Sequence, residues 1–344
     1  YSAMPSITGM TPSTGSASGG STVTLSGMNL DGDALSCRFG NESIVVATNV
    51  TSSSCVCVTP AGVAGSTVAV EVSTNGVDFT SSGVQYSYRS VVRVSSVQPA
   101  SGPESGSTSV TVVGANFVDS SGLLCRFGSA VSVAARWVSS SKIVCVAPAH
   151  EPASVAVEVS VNGVDFTTSG AQFAYQPSAV VTSITPSSGP LHGGTVVVVI
   201  GDNFVFSGAL SCRFGVVDVV GSFVNRSAVR CVSPAHAQGS VSLEVTHNGA
   251  EYTASGVQFT FRPSATVSSV SPVAGPMTGG TVVTLSGTGF SGVVDLCHFG
   301  SKTSVATVMS DTSATCTSPL ANYSGSAAIS VSSRNQPLTQ TGMS

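Results

Sequence analysis

Nine cysteines are the residues of this chain best suited to chemistry, and eight of them follow a pattern. Cys-Arg-Phe-Gly occurs at 37–40, 125–128 and 212–215, and Cys-His-Phe-Gly at 297–300. Each is followed by a Cys-x-x-Pro whose cysteine is Cys57, Cys145, Cys231 or Cys316. The couples Cys37–Cys57, Cys125–Cys145, Cys212–Cys231 and Cys297–Cys316 are 20, 20, 19 and 19 residues apart. A metal site would show closely spaced Cys or His ligands within a unit, and none does so here. Four disulfides are the expectation, each stabilising a small domain by roughly 3 kcal/mol through loop closure. Disulfides persist in oxidising compartments, which places the chain outside the cell or on its surface. Cys55 is left over; it aligns with Ile143, Val229 and Ala314 and reads as a buried free thiol packing as a small hydrophobe. A Cys37–Cys55 bond in place of Cys37–Cys57 remains open at this level.

Other groups capable of chemistry do not converge. The five histidines, His150, His192, His236, His247 and His298, occupy different repeats or unrelated positions and read as solvated loop residues. Glu71, Glu158 and Glu244 recur at one strand position, a whole repeat apart, which excludes a paired acid and base; they are expected to face outward. The run GTGFSG (287–292) fits a dinucleotide-binding spacing, yet no strand–helix–strand unit follows it. NLDGDALS (29–36) lacks the spacing of a calcium loop, Trp137 is a single tryptophan, and neither a nucleophile elbow nor HExxH occurs. The chain therefore reads as no enzyme and as needing no cofactor.

Composition excludes further classes. Charged residues make up 8% of the 344, with a net charge of −4 and the arginines spread singly, so there is no electrostatic footprint for nucleic acid. The longest apolar run, VVVVI at 196–200, is far short of the ~20 residues a membrane helix needs, and no direct membrane insertion is expected.

The elements that must position the cysteines repeat. Gly27, Gly114, Gly201 and Gly287 anchor four similar Gly-rich segments and lie 87, 87 and 86 residues apart. Positions four and two before each anchor are apolar, Val23 and Leu25 in the first copy, which is the period of a half-buried strand. VAVEV (68–72) alternates likewise. Asn75-Gly76, Asn162-Gly163 and Asn248-Gly249 read as type I′ hairpin turns. Short strands bounded by Gly, Pro and Ser, without helical periodicity, predict a β-sandwich of about seven strands per repeat.

The Pro-x-x-Gly opening, the Gly-x-Asn-Phe/Leu after the first long strand, the Cys-Arg-Phe-Gly and the Cys-x-x-Pro together resemble the IPT/TIG domain. That resemblance implies an all-β chain of four tandem immunoglobulin-like sandwiches, at 1–88, 89–175, 176–261 and 262–344, the last with an incomplete final strand. The family occurs in plexin and scatter-factor-type receptor ectodomains, in Rel-type transcription factors and in many surface proteins. The linkers are short and free of Gly/Ser tracts, so a semi-rigid rod is expected.

Asn-x-Ser/Thr sequons at Asn41, Asn49, Asn225 and Asn322 fall in expected loops and predict N-linked glycans, with O-linked glycans on some of the many Ser and Thr residues. Tyr1 has the phase of a preceding repeat's last aromatic, and Gly342, Met343 and Ser344 match Gly83, Val84 and Gln85, short of a final strand. The expectation is continuation from head to tail, with further repeats or a second copy. The leading reading is a secreted structural protein of an extracellular fibre or surface appendage. The alternative is the ligand-binding or adhesive stalk of a receptor ectodomain, with other surface proteins or glycans as partners.

Overall fold

The computed structural model describes residues 4–332 apart from 33, 42, 130, 169, 292 and 293. Tyr1, Gly342, Met343 and Ser344, and with them the incomplete last strand, lie outside the described residues. Every regular element described is a strand. The chain forms two compact units, Tyr1–Pro177 and Ser178–Ser344, and each contains two hydrophobic cores.

Repeat 1 shows how the sequence builds a sandwich. Ser6–Thr11, Thr22–Met28 and Ser54–Val58 form one antiparallel sheet, with Thr22–Met28 in its centre. The second sheet runs in the order Thr14–Ser16, Gln85–Arg89, Thr67–Ser73, Ser36–Phe39, Ser43–Val46. In Thr22–Met28 the apolar Val23 and Leu25 are fully buried while Thr22, Thr24 and Ser26 face solvent. The chain leaves the first sheet at Pro12, after a cis peptide bond, and joins the second through Thr14–Ser16, parallel to Gln85–Arg89. This split first strand, together with further splits in repeats 2 and 3, raises the strand number above the seven expected.

Repeats 2 and 3 use the same arrangement, with a fourth strand, Arg136–Ser139 or Ser222–Asn225, at the edge of the first sheet. In repeat 4 one long strand, Lys302–Ser310, pairs with Leu296–Phe299 through its first half and with Ser313–Thr317 through its second, so six described strands form one continuous sheet.

The anchor glycines are fixed by a close approach. A Cβ built on Gly27, Gly114, Gly201 or Gly287 would lie 1.9, 2.0, 1.9 or 1.8 Å from a carbonyl oxygen of the neighbouring strand, that of Ser6, Arg93, Val180 or Thr266. The register of the strand pair shifts next to each of these contacts.

The Asn-Gly pairs do not form type I′ hairpins. Gly76, Gly163 and Gly249 have positive φ, but their asparagines do not. The Asn75 side chain instead folds its own loop: Oδ1 accepts from Val77 N at 2.9 Å and Asp78 N at 2.8 Å, and Nδ2 donates to Asp78 Oδ2 at 2.8 Å. Asn162 and Asn248 do the same with Asp165 and Glu251. The acidic partner three residues on favours this turn over a tight hairpin, and the strand that follows resumes only at Gln85, Gln172 or Gln258.

Gly201→Ala forces a methyl group against the Val180 carbonyl. The substitution is expected to lower the stability of repeat 3 by about 1–3 kcal/mol, read as faster hydrogen exchange of its Val196–Asp202 amides, with repeat 1 unaffected.

Candidate functional site

The cysteines of repeats 1 to 3 come from different sheets, and those of repeat 4 from two strands on either side of Lys302–Ser310 in its continuous sheet. In repeat 1, Cys37 lies on Ser36–Phe39 and Cys57 on Ser54–Val58, and the Cys37–Cys57 disulfide spans the core between them. Cys125–Cys145, Cys212–Cys231 and Cys297–Cys316 are bonded in the same way. Cys55 is a free thiol, fully buried opposite Leu25. The sulfurs of Cys37, Cys55 and Cys57 lie within 4.8 Å of one another, but two of them are joined, so no thiolate set remains to hold a metal. Burial pushes the Cys55 thiol up to about 11, which keeps it protonated and unreactive.

The recurring glutamates do not face solvent. Glu71 and Glu244 are 6% and 9% exposed. The long loop after their strand folds back over them. Glu71 accepts from Thr80 Oγ1 at 2.5 Å and from Ser82 N at 2.9 Å. Glu244 accepts from Thr253 Oγ1 at 2.5 Å, Ser255 N at 3.0 Å, Ser255 Oγ at 2.8 Å and Gly256 N at 2.9 Å. Burial by itself would raise the Glu244 pKa, but these hydrogen bonds outweigh it and hold the carboxyl below the usual glutamate value. Glu158 instead pairs directly with Arg126, at 2.6 Å.

Beside each glutamate the arginine of Cys-Arg-Phe-Gly stacks on an aromatic ring of the same loop. Arg38 lies 4.1 Å from the Phe79 centroid, Arg126 4.1 Å from Phe166 and Arg213 3.6 Å from Tyr252. Arg213 also pairs with Asp218 at 2.7 Å. Repeat 4 has His298, Ser330 and Leu338 at the arginine, glutamate and aromatic positions, and His298 Nε2 meets Ser332 Oγ at 2.7 Å. The joint presence of Arg, Glu and aromatic in three copies, and their joint loss in the fourth, was the signal in the sequence that could have found this clasp.

Three histidines also differ from solvated loop residues. His150 and His236 stack on the last-strand rings of Tyr175 and Phe261, 4.8 and 4.7 Å between centroids. Each follows its Cys-x-x-Pro, which brings it over the end of the other sheet. His247 is half-buried, and burial lowers its pKa. Trp137 is partly exposed and its Nε1 donates to Phe117 O at 3.3 Å.

Within Tyr1–Pro177 a groove of about 740 Å³ lies between repeats 1 and 2. Gly19 and Gly20 of repeat 1, Arg89 and Arg93 of the linker, and Asn162 and Asp165 of repeat 2 line it. Asn162 Nδ2 donates to Thr14 O at 2.9 Å and bonds the two repeats directly. Asp165 accepts from Asn162 and keeps its charge, so the lining carries two cations and one anion. No nucleophile paired with a base lines the groove among the described residues.

The four sequon asparagines, Asn41, Asn49, Asn225 and Asn322, are all exposed. Asn225 is the last residue of the strand Ser222–Asn225 rather than a loop residue. Asn322 Oδ1 accepts from Lys302 Nζ at 3.0 Å.

The IPT/TIG domain profile matches residues 5–88, 93–175, 179–261 and 265–344. The chain belongs to the IPT/TIG family. Plexin-A3 of Homo sapiens is 29% identical over 212 residues, covering 57% of this chain and 11% of that protein. Fibrocystin-L of Homo sapiens is 25% identical over 237 residues, covering 67% of this chain and 5% of that protein. The solved extracellular region of plexin A4 is 17% identical, with a TM-score of 0.38, covering 92% of this chain and 34% of that one. This chain thus spans a small part of the length of these relatives. An IPT/TIG chain whose repeats are closed by disulfides is located extracellularly or at the cell surface. Among the described residues no helix is long and apolar enough to cross a membrane.

Glu244→Gln removes the charge that the loop amides and hydroxyls hold. Stability of repeat 3 at pH 7 is expected to fall by about 2 kcal/mol. The folded pKa of this carboxyl is depressed below the ordinary 4.5. Its contribution is therefore complete above that value and is lost as pH falls through the lower folded value. The difference between wild type and variant in denaturant unfolding should shrink over that acidic window and stay constant from pH 5 to 8.

Proposed function

We propose that this chain is a non-catalytic tandem module of a cell-surface protein, the stalk of a receptor-type ectodomain that spaces and orients other binding domains. Four IPT/TIG matches in series, shared in part with plexins, are the observation that carries this reading. The geometry suits it. Each repeat is closed by its own disulfide and three by an Arg–Glu–aromatic clasp, while Asn162 bonds repeat 2 to repeat 1. These are devices that hold shape and do not perform catalysis. The similarity to plexins favours the stalk over the fibre or appendage. Partners on this reading are other surface proteins, met through the module or through domains beyond it. The exposed sequons at Asn41, Asn49, Asn225 and Asn322 carry N-linked glycans on this reading.

A membrane-impermeant biotin reagent should label the native protein on intact cells. Peptide-N-glycosidase treatment should lower the apparent mass of the labelled band. Labelling only after cell lysis would overturn the surface assignment. Sedimentation of the purified chain at micromolar concentration should give a monomer; a ladder of end-to-end oligomers would restore the fibre reading over the stalk.

A further inference from the structure

Repeat 3 carries an exposed phenylalanine, Phe206, set against Phe223, which is partly buried on the edge of the core. Phe206 is 78% exposed, and its ring meets Phe223 edge to face with centroids 6.1 Å apart. Val224, next in the strand, is also exposed. Ser222–Asn225 is the outermost strand of its sheet, and an apolar edge of this kind invites pairing with other chains.

Phe206 is nevertheless held in place. Phe204, two residues earlier, is fully buried, and its amide donates to the Arg226 carbonyl at 3.0 Å. Ser207 Oγ donates to the His247 carbonyl, and Val205 N donates to His247 Nε2 at 3.4 Å. The loop that presents Phe206 is thus bonded to Arg226, the middle residue of the sequon Asn225-Arg226-Ser227.

Phe223 stands two residues before Asn225 on the same strand, with the pairing register shifting at Val224 between them. Asn225 Oδ1 accepts from Ser227 N at 2.8 Å, which leaves Nδ2, the atom that would carry a sugar, pointing to no hydrogen-bond acceptor among the described residues.

A comparison within the chain adds an independent observation. At the position of Phe206 the other repeats have Gly32, Asp119 and Gly292, and at the position of Asn225 they have Thr51, Ser139 and Ser310. A phenylalanine at the first of these positions and a sequon asparagine at the second occur together in repeat 3, and neither occurs at its position in the other three.

We propose that the N-linked glycan at Asn225 docks its first N-acetylglucosamine on Phe206 and Phe223, covering the apolar edge of repeat 3. This rests on the reading that Asn225 is glycosylated. The attachment transfers the glycan from a lipid-linked pyrophosphate donor. A bond forms between Nδ2 and C1 of the sugar, Nδ2 loses one proton, and the lipid pyrophosphate leaves. The pyranose presents weakly positive C–H bonds, and the faces of the two rings are electron-rich, so the contact is favourable and removes apolar surface from water. The occupant is part of the same molecule and attached beside the patch, which keeps its effective concentration high.

The test compares wild type, Phe206→Ser and Phe206→Tyr, each produced in a eukaryotic secretory host. Phe206 is exposed, so the substitutions leave folding intact. Glycopeptide mass spectrometry reads occupancy of Asn225 and the rate at which peptide-N-glycosidase releases its glycan from the folded protein. Release at Asn225 should be roughly fivefold faster in Phe206→Ser than in wild type. Phe206→Tyr should behave as wild type, and release at Asn322 should not change. In spectra of the wild type, the N-acetyl methyl of the first sugar should show an upfield ring-current shift that Phe206→Ser abolishes. Equal release rates at an occupied Asn225 would overturn the docking and leave its glycosylation standing. An unoccupied Asn225 would overturn both.

Discussion

A single buried disulfide spans the core of each repeat and in repeats 1 to 3 joins two separate sheets, and the rest of the structure depends on it. Among the described residues each repeat has a core of ten to fourteen buried apolar side chains, built largely from Val, Leu and a few aromatics. A core this small leaves a narrow margin against chain entropy, so a loop closure worth roughly 3 kcal/mol is a large share of it. The bond also fixes which faces of the two sheets meet. Cys37 and Cys57 point inward from strands whose neighbours Val23, Leu25, Val70 and Val72 fill the same layer. Cys55 lies close enough to exchange with this disulfide, yet its buried thiol stays protonated, and exchange requires the thiolate. The third sulfur therefore acts as packing.

Once the sheets are fixed, the outer face of the Cys-Arg-Phe-Gly strand becomes available to hold the long loop that precedes the last strand. Arg38, Arg126 and Arg213 cover one aromatic of that loop, and Glu71 and Glu244 bind its amides and hydroxyls. Repeat 2 reaches the same end differently, with Glu158 bonded to Arg126. A buried carboxylate is tolerable only when its acceptors are filled, and the loop fills them. Repeat 4, with His298 and Ser330 in place of Arg and Glu, has lost the cation and the anion together, as expected of groups that are stable only as a set.

What could be read from the sequence was local. Alternation in Thr22–Met28, the spacing of the cysteines and the anchor glycines each depend on neighbours a few residues away or on the repeat itself, and these sufficed for the all-β immunoglobulin-like class. The glutamates could not be read by the same rule. Alternation puts Glu71 on the face opposite Val70 and Val72, and that is where it lies; what buries it is the loop at Thr80–Ser82, which no strand period reports. His150 and His236 likewise meet rings more than twenty residues away. The Asn-Gly pairs were read by the backbone preference of glycine, while the acidic residue three positions on decided the turn. Asn225 reads as a loop residue in the sequence, while the structure puts it at the end of an edge strand, equally open to solvent.

The scarcity of charge links these features. Sheet edges are commonly guarded by lysines, and this chain has two, Lys142 and Lys302, while three of its ten arginines are stacked in clasps. Repeat 2 guards its edges with a two-residue strand, Val133–Ala134, and with Arg136. Repeat 1 exposes Ile44 and Val46 on the edge strand Ser43–Val46, and the sequons Asn41 and Asn49 stand on either side of it. Repeat 3 exposes Val224 beside Asn225 at the end of another edge strand. At these two edges, which expose aliphatic side chains and lack a lysine or arginine, a sequon is adjacent. On the glycosylated reading, bulky neutral sugars do the work that charge does in ordinary soluble domains, and a surface made of Ser, Thr and Val stays apart from its copies without carrying a large net charge.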